Sequence, residues 1–413
     1  MPFEIERLDD TEALAETDRS GMLRALATAG AQVRRAVTAT REAGLLERDP
    51  DDRPRAVLVA AMGADNLVGD LVCALAARHS PVGVWTAHDL PLPGWVGSLD
   101  LVVAVSLSGR APGPLRLAHE AGRRGATVLS IGAPDSPLAE ATARARGVHI
   151  AVEREAAGVR LASRSAAWSM LTPVVLALAA HGLVDVSPDD LAQVADRLDA
   201  VAEAARPGSE SFVSPPKILA GEIAGRLPMI LGDGPLTAVA ARRAGTMLAR
   251  TARIPVMVGE LPDAAAELLA CLDGPYAAGA PTGPDGGRDI FADPFLDGPP
   301  APEVGLLLVR DRDPRAGEEG SAVRASGAAA YPEPNAPIGP QDAARINLTQ
   351  AIVDLALARG TRVHELTPGP GPDIVRLAEL IAQIDFAATY LALGHGLDPA
   401  AAPAVADLRD LTS

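Results

Sequence analysis

The chain opens on an amphipathic stretch. Over 11–48 the apolar residues Met22, Leu23, Leu26, Ala27, Val33 and Val37 recur at helical spacing, and Gly44 follows near a stop, so a helix is expected there. From residue 56 the pattern changes. The run AVLVAA at 56–61 is apolar without alternation, as in a strand covered on both faces of a parallel sheet. Similar strands are expected at 82–86, 101–105, 127–131 and 148–152, with helical patterns at 66–78, 114–124 and 136–145 between them. Strands alternating with helices through short connections predict a parallel sheet with helices on both faces.

A long apolar helix over 165–181, closed by Gly182, and an amphipathic helix over 188–205 come next. Residues 207–216 hold three Pro, one Gly and three Ser and read as a linker. The alternation then restarts. Helices are expected at 217–225, 236–251 and 263–273 and strands at 229–232 and 255–258, a second α/β unit with its own core. The segments 275–302 and 310–340 are dense in Gly and Pro and predict loose surface loops on either side of a buried strand at 304–309. A helix over 341–359, a strand over 362–366, a break at 369–372, a long helix over 373–394 and a short one over 401–411 complete the chain. The expected organisation is an N-terminal helical segment (1–50), a first doubly wound domain (51–185), a helix and linker (186–216), a second doubly wound domain (217–372) and a C-terminal helical segment (373–413).

Composition narrows the class. Hydrophobic residues are 48% and charged residues 22% of the 413, a globular balance. Aromatics are 3%, so the core must be filled by Leu, Val, Ala and Ile. A net charge of −16 without a basic run argues against nucleic acid or an anionic membrane as partner. Cys73 and Cys271 have no metal-ligand neighbours, and a reduced, cytoplasmic location is expected. Residues 1–19 are acidic and lack the apolar core of a signal peptide. The apolar run at 170–184 contains Pro173 and His181 and is too short to span a bilayer. Lys217 is the single lysine, which leaves little basis for Schiff-base chemistry, and the seven His are scattered. No metal site and no cofactor are expected.

Ligands of open parallel sheets bind beyond the carboxyl ends of the strands. Two turns qualify in the first unit. One is Met62-Gly63-Ala64-Asp65. The other is Ser106-Leu107-Ser108-Gly109, where two hydroxyls, a glycine and a helix start suit a phosphate. The same turn is equally an ordinary serine-capped helix start.

Several motifs point one way. AMGADNLVGDL at 61–71 parallels GMGGSAIGGDL, and SLSGRAPGPL at 106–115 parallels SYSGNTEETL. VAARRAGTML, with Arg242, matches an A-x-R pattern, and IDFAATYLALGHGLDP matches a C-terminal DF-x-S-x-YLA…G-x-DP pattern. Nearly the whole chain, apart from the two loose loops, thus resembles the double sugar-isomerase (SIS) fold. More narrowly, it resembles the bacterial and archaeal bifunctional phosphoglucose/phosphomannose isomerases. The resemblance implies two flavodoxin-like domains, a homodimer, a site between domains, a small sugar-phosphate ligand and aldose–ketose isomerisation. That reaction moves a proton between neighbouring carbons, and it needs a carboxylate base and a cation for the developing oxyanion.

The resemblance places Gly63, Asp65, Ser106, Ser108, Gly109, Arg110 and Arg409 around the ligand and Arg164, in LASRSAAW, as the family's arginine. The chemistry-bearing positions depart from the pattern. Asp65 stands where the family has a phosphate-binding serine, and Arg110-Ala111 replaces Asn-Thr. Arg250 or Thr251, in LARTARIP, falls at the base, GELPDAAAE holds no histidine, and Arg409 aligns with a lysine. An ionised Asp65 about 4 Å from a phosphate costs about 4 kcal/mol per charge pair at an effective dielectric of about 20. One hydrogen bond to a charged group returns about 1.5–3 kcal/mol. Asp65 therefore needs Arg110 or Arg164 as an offset, or holds sugar hydroxyls or an amine, or caps the helix from Asn66. The expectation is a sugar-phosphate-binding chain without isomerase catalysis. The alternative is an active isomerase using Glu260, in the strand–helix loop after 255–258, as base.

Overall fold

The computed structural model describes residues 2–45, 53–63, 66–156, 158–280, 302–311 and 340–412. A short 3-10 turn, Glu6–Leu8, precedes α1 (Thr11–Thr17), α2 (Met22–Leu26) and α3 (Ala29–Glu42). The single helix expected over 11–48 is therefore broken. Gly21 takes φ +65°, and the Asp18 carboxylate accepts the Met22 and Leu23 N–H groups at 2.7 and 2.9 Å. One turn thus ends α1 and caps α2. The periodicity ran through the break because Leu14 before it and Leu23, Leu26 and Val33 after it pack into one core.

The first sheet is built from β1 (Ala56–Ala61), β2 (Gly83–Thr86), β3 (Leu101–Ser106), β4 (Thr127–Gly132) and β5 (Val148–Ala151). Its order is β2-β1-β3-β4-β5, all parallel, connected by α4 (Asn66–Ala76), α5 (Pro112–Arg123) and α6 (Pro137–Arg144). The order reverses between β1 and β3, so the loops leaving those two strands diverge and open a crevice there. A small antiparallel hairpin, β6 (Glu155–Ala156) with β7 (Val159–Arg160), follows. Its strands are too short to leave a hydrophobic pattern, and the sequence reading has no counterpart for it.

Helices α7 (Ala167–Ala180), α8 (Pro188–Ala204) and α9 (Pro215–Ile223) lead to the second unit. It contains β8 (Arg226–Gly232), α10 (Pro235–Met247), a π-turn (Leu248–Ala252), β9 (Met257–Glu260), α11 (Ala265–Ala270), β10 (Glu303–Val309), α12 (Pro340–Ala358) and β11 (Arg362–Leu366). This sheet is also parallel, in the order β11-β10-β8-β9. Helices α13 (Asp373–Gly394) and α14 (Pro403–Thr412) close the chain. The fold is α/β with two parallel sheets, as the alternation implied. The loops expected at 275–302 and 310–340 lie mostly outside the described residues.

Each sheet buries both faces, and the faces differ in what they meet. Val57, Val59, Ala61, Val103 and Val105 join one large cluster, whereas Leu58, Ala60, Val102 and Ala104 pack outward with Leu117 and Leu138. In the second sheet Ile230, Leu307 and Val309 join the same large cluster, and Met229, Leu231, Leu306 and Leu308 pack outward with Ile352. The period-2 geometry of a strand makes this division. The second unit therefore does not have a core wholly its own, as the alternation suggested. Its inner face shares a continuous interior with the first unit through α4, α7, α8, α10 and α13.

Helix α13 lies at the centre of that interior. Its length and apolarity match a membrane span, yet 89% of its apolar window is buried inside the protein. Inside a protein such a helix meets side chains instead of lipid. Shared packing of this kind holds the loops at the carboxyl ends of both sheets in a set relation.

Candidate functional site

A cavity of about 370 Å³ lies where the two units meet. Gly63, Asn66, Leu67 and Asp70 line it from the loop after β1 and the first turns of α4. Val239, Arg242, Arg243, Gly245 and Thr246 line it from α10, and Val256 and Val258 from the segment leading into and along β9. Helical geometry explains the sets. Residues 66, 67 and 70, and 239, 242, 243 and 246, each fall on one helix face. Gly245 lets α10 approach β9, since a Cβ there would stand 2.5 Å from Val258 Cγ2.

Gly63 sits at φ +72° with nothing within 4 Å of where a Cβ would be. The backbone is thus open to the cavity at the start of α4. The polar wall is dominated by one arginine. Arg242 Nε donates to Asp70 Oδ2 at 3.1 Å, and its Nη1 lies 3.6 Å from Glu260 Oε2. Arg242 thereby links α4 of the first unit to the end of β9 in the second. Glu260 shares strand parity with Val258, which turns it toward the same crevice. Asn66 contributes a side-chain oxygen that is withdrawn from solvent and has no hydrogen-bond partner among the described residues.

Behind this wall runs a buried network. Arg243 makes a bidentate pair with Asp385 of α13, both bonds 2.7 Å, and its Nη2 also donates to the Arg164 carbonyl. Arg164, 5% exposed, donates through Nη1 to the Arg250 carbonyl (2.8 Å) and Thr251 Oγ1 (2.9 Å) and through Nη2 to the Ala400 carbonyl (3.1 Å). Burial, together with the nearby guanidinium groups of Arg250, Arg243 and Arg253, pulls the Arg164 pKa down to about 10. Arg164 therefore ties the first unit to the π-turn, the place of the family's base, and to the chain before α14.

The predicted residues thus separate into groups. Gly63 lines the cavity. Glu260 reaches Arg242, which lines it. Arg164 braces the wall from behind and engages partners other than Glu260. Ser106, Ser108, Gly109 and Arg110 form the neighbouring turn after β3, next to the loop that carries Gly63 (Ala61 pairs with Val105), but are not among the cavity-lining residues. There Ser106 Oγ accepts the Ala111 N–H and Ser108 Oγ the Arg110 N–H, both at 3.3 Å. The hydroxyls brace the turn itself, and each keeps a proton to donate, whereas the start of α5 at Ala111 has no side-chain cap. Gly109, at φ +63°, packs on Ser136, where a Cβ would collide with the Ser136 hydroxyl. Arg110 is exposed. Asp65 and the Arg409 side chain lie outside the described residues.

Asn66, Asp70, Arg243 and Thr246 were not singled out from sequence. The spacing 239/242/243/246 in VAARRAGT marks a helix face that carries both arginines, and that signal was available. A larger cavity of about 630 Å³ lies among α1, α2, α8 and α13, lined in part by Leu14, Asp18, Glu203, Arg206 and Phe386. No strand-end loop reaches it, and Arg206 and Glu203 pair with each other. Among the described residues no group of three His, Cys, Asp or Glu is placed to hold a metal.

Two parallel sheets wound in this way, with a crevice between them, give a two-unit α/β fold of the kind found in double-SIS proteins, and the second unit also resembles the phosphoglucose isomerase-like family in sequence. Residues 212–325 and 336–411 match the family model of the bacterial phospho-glucose isomerase C-terminal SIS domain. Solved structures share the fold at low identity. A hypothetical protein from Thermus thermophilus aligns with a TM-score of 0.64 at 14% identity, covering 99% of this chain and 93% of its own. A glucose-6-phosphate isomerase like protein from the same organism gives 0.51 at 18% identity, over 98% and 99%. The C-terminal domain of glucosamine-fructose-6-phosphate aminotransferase from Francisella tularensis gives 0.55 at 13%, over 92% and 97%. A search of curated proteins finds no match to the chain.

Proposed function

We propose that the chain binds a sugar phosphate in the crevice between its two α/β units, as a member of the phosphoglucose isomerase-like SIS group in which isomerase catalysis has been lost. The observation that carries this reading is the cavity walled by the Gly63 loop and α4 on one side and the Arg242 face of α10 on the other. Its position beside the first sheet's switch point is where an open α/β sheet takes its ligand. The π-turn supports the loss of catalysis, because the positions matching the family's base are Arg250 and Thr251, and the Arg250 carbonyl and Thr251 hydroxyl accept from Arg164. The ligand phosphate is assigned to the Gly63 turn, where open backbone and the start of α4 favour an anion, with Arg110 of the neighbouring turn, rather than the buried Arg164, offsetting the charge of Asp65. A cytoplasmic homodimer is part of the same proposal.

Thermal unfolding with hexose 6-phosphates tests binding. A ligand at 100 times its Kd adds about 2.7 kcal/mol to stability. No shift with any of them overturns the reading. Turnover of glucose 6-phosphate or mannose 6-phosphate that a single substitution in the crevice abolishes would overturn the loss of catalysis. Gly63→Val is expected to weaken binding about tenfold or more, since it places a branched side chain in the open cavity and strains a left-handed residue by about 1–2 kcal/mol. Titration calorimetry of the variant reads this directly.

The placement of Glu260 favours a second reading. It stands at the carboxyl end of β9, beside Arg242, where a base and a cation would serve an enediol. If the chain isomerises a phosphosugar by this route, Glu260→Gln lowers kcat at least about a hundredfold. Undiminished turnover in that variant excludes Glu260 as the base.

A further inference from the structure

We propose that the exposed apolar surface formed by the N-terminal turn and the residues entering α9 is the face on which two copies of this chain join. The proposal rests on the homodimeric state and adds the surface that forms it.

Large apolar side chains meet solvent here side by side. Ile5 is 42% exposed, Phe212 73%, Val213 62% and Ile218 37%, and Pro215 is exposed with them. They are neighbours in space. Ile5 Cδ1 lies 3.3 Å from where a Cβ on Gly221 would stand. Ile218 precedes Gly221 by three residues on α9, so both face the same side of that helix. Phe212 and Val213 lie just before its N-cap, Ser214. The surface is also fixed before any partner arrives. The Asp9 carboxylate accepts the Ser211 N–H at 2.7 Å and the Ser211 hydroxyl at 2.8 Å. Lys217 donates to the Leu8 and Ser209 carbonyls. These bonds tie the N-terminal turn to the stretch that carries Phe212, so little freedom remains to be lost on docking.

Area and charge together say what covers it. Side chains exposed to this extent present on the order of 400 Å² of apolar surface. A standard interface takes about 800 Å² from each partner, somewhat over half of it apolar. The patch therefore has the size of the apolar centre of a stable interface. The chain carries a net charge of −16, so two copies repel each other over most of their surfaces. Around this patch the charges are nearly matched. Arg7 pairs with Glu4 at 2.9 Å, Arg362 with Glu222 at 2.7 Å, and Lys217 lies 3.8 Å from Asp9. Glu6 and Glu210, both exposed, are the acids left over, and salt screens them. A second acidic chain can approach such a border, whereas a strongly basic partner finds few free carboxylates there. A face that meets itself about a twofold axis needs self-complementarity, which an apolar patch with a balanced border supplies.

Analytical ultracentrifugation of the full chain over a range of concentrations is the test, and a dimer is expected. A twofold interface feels each substitution twice, so Phe212→Glu is expected to raise the dimer Kd at least about a hundredfold. Val213→Glu acts in the same direction. Circular dichroism checks that both variants remain folded, as substitution at exposed positions allows. Trp85→Glu, the same change at an aromatic residue 59% exposed on β2, is expected to leave the dimer intact. A native dimer that neither Phe212→Glu nor Val213→Glu weakens overturns the inference and leaves the homodimer standing. A dimer that Trp85→Glu breaks and Phe212→Glu does not has the same meaning. A native chain that stays monomeric throughout overturns both.

Discussion

Arg243→Met is expected to lower the unfolding free energy by about 3–5 kcal/mol, the cost of leaving a buried carboxylate without its partner. The Arg243 side chain is 1% exposed and that of Asp385 is 6%. Burial pushes the Asp385 carboxyl upward, and Arg243 is the first group that opposes the shift. Without Arg243 the carboxyl must take up a proton or draw water into the core. The substitution also removes the donor to the Arg164 carbonyl, so the wall of the crevice loses its brace. Urea denaturation measures the loss. The double variant Arg243→Met/Asp385→Leu separates an unpaired charge from lost packing. It should recover most of the deficit, because replacing both partners with apolar groups is close to neutral. A single variant costing under about 1 kcal/mol would show that the pair does not hold the interior together.

Lys217→Met has a comparable expected effect at the other side of the shared core. Lys217 is fully buried, and its Nζ donates to the carbonyls of Leu8 (2.5 Å), Pro207 (2.9 Å) and Ser209 (2.5 Å). The ammonium also lies 5.2 Å from the centre of the Tyr390 ring, and the Tyr390 hydroxyl donates to the Ala205 carbonyl. One cation thereby fastens the N-terminal turn, the 207–216 stretch and α13. Methionine keeps the length and leaves three carbonyls without a donor. A loss of about 3 kcal/mol or more is expected, given about 1.5–3 kcal/mol for each bond to a charged group and incomplete additivity. Because the chain has no other lysine, acetylation at Lys217 gives a second measurement. Its rate in the native protein should follow global unfolding. Rapid modification under native conditions would contradict the burial.

Much of the architecture was legible along the chain. Apolar runs such as 56–61 and 101–105 marked strands covered on both faces, and helical patterns of matching length separated them. The expected 373–394 helix agrees with α13 at both ends. The failures have specific causes. The helix over 11–48 was cut at Asp18–Gly21 by a side-chain cap that periodicity does not register. The 236–251 helix changes to a π-turn at Leu248, where Arg164, far away in sequence, donates to the Arg250 carbonyl and the Thr251 hydroxyl.

The candidate site was legible in part. Brändén-type reasoning about strand ends led to Gly63 and to the serine turn after β3. Of these, Gly63 opens on the cavity, while the serine hydroxyls accept N–H groups within their own turn. The charged wall was not foreseen, because Asp70, Arg242 and Glu260 come from three elements and no local spacing joins them.

By itself the sequence determined the α/β class, the two strand–helix alternations and the glycine turns, since these depend on periodicity and backbone conformation within short windows. The tertiary structure decided which arginines are structural and which face the crevice, and that the two sheets share one interior. Charge pairing and burial depend on residues brought together from distant parts of the chain, so that no window of the sequence contains both partners.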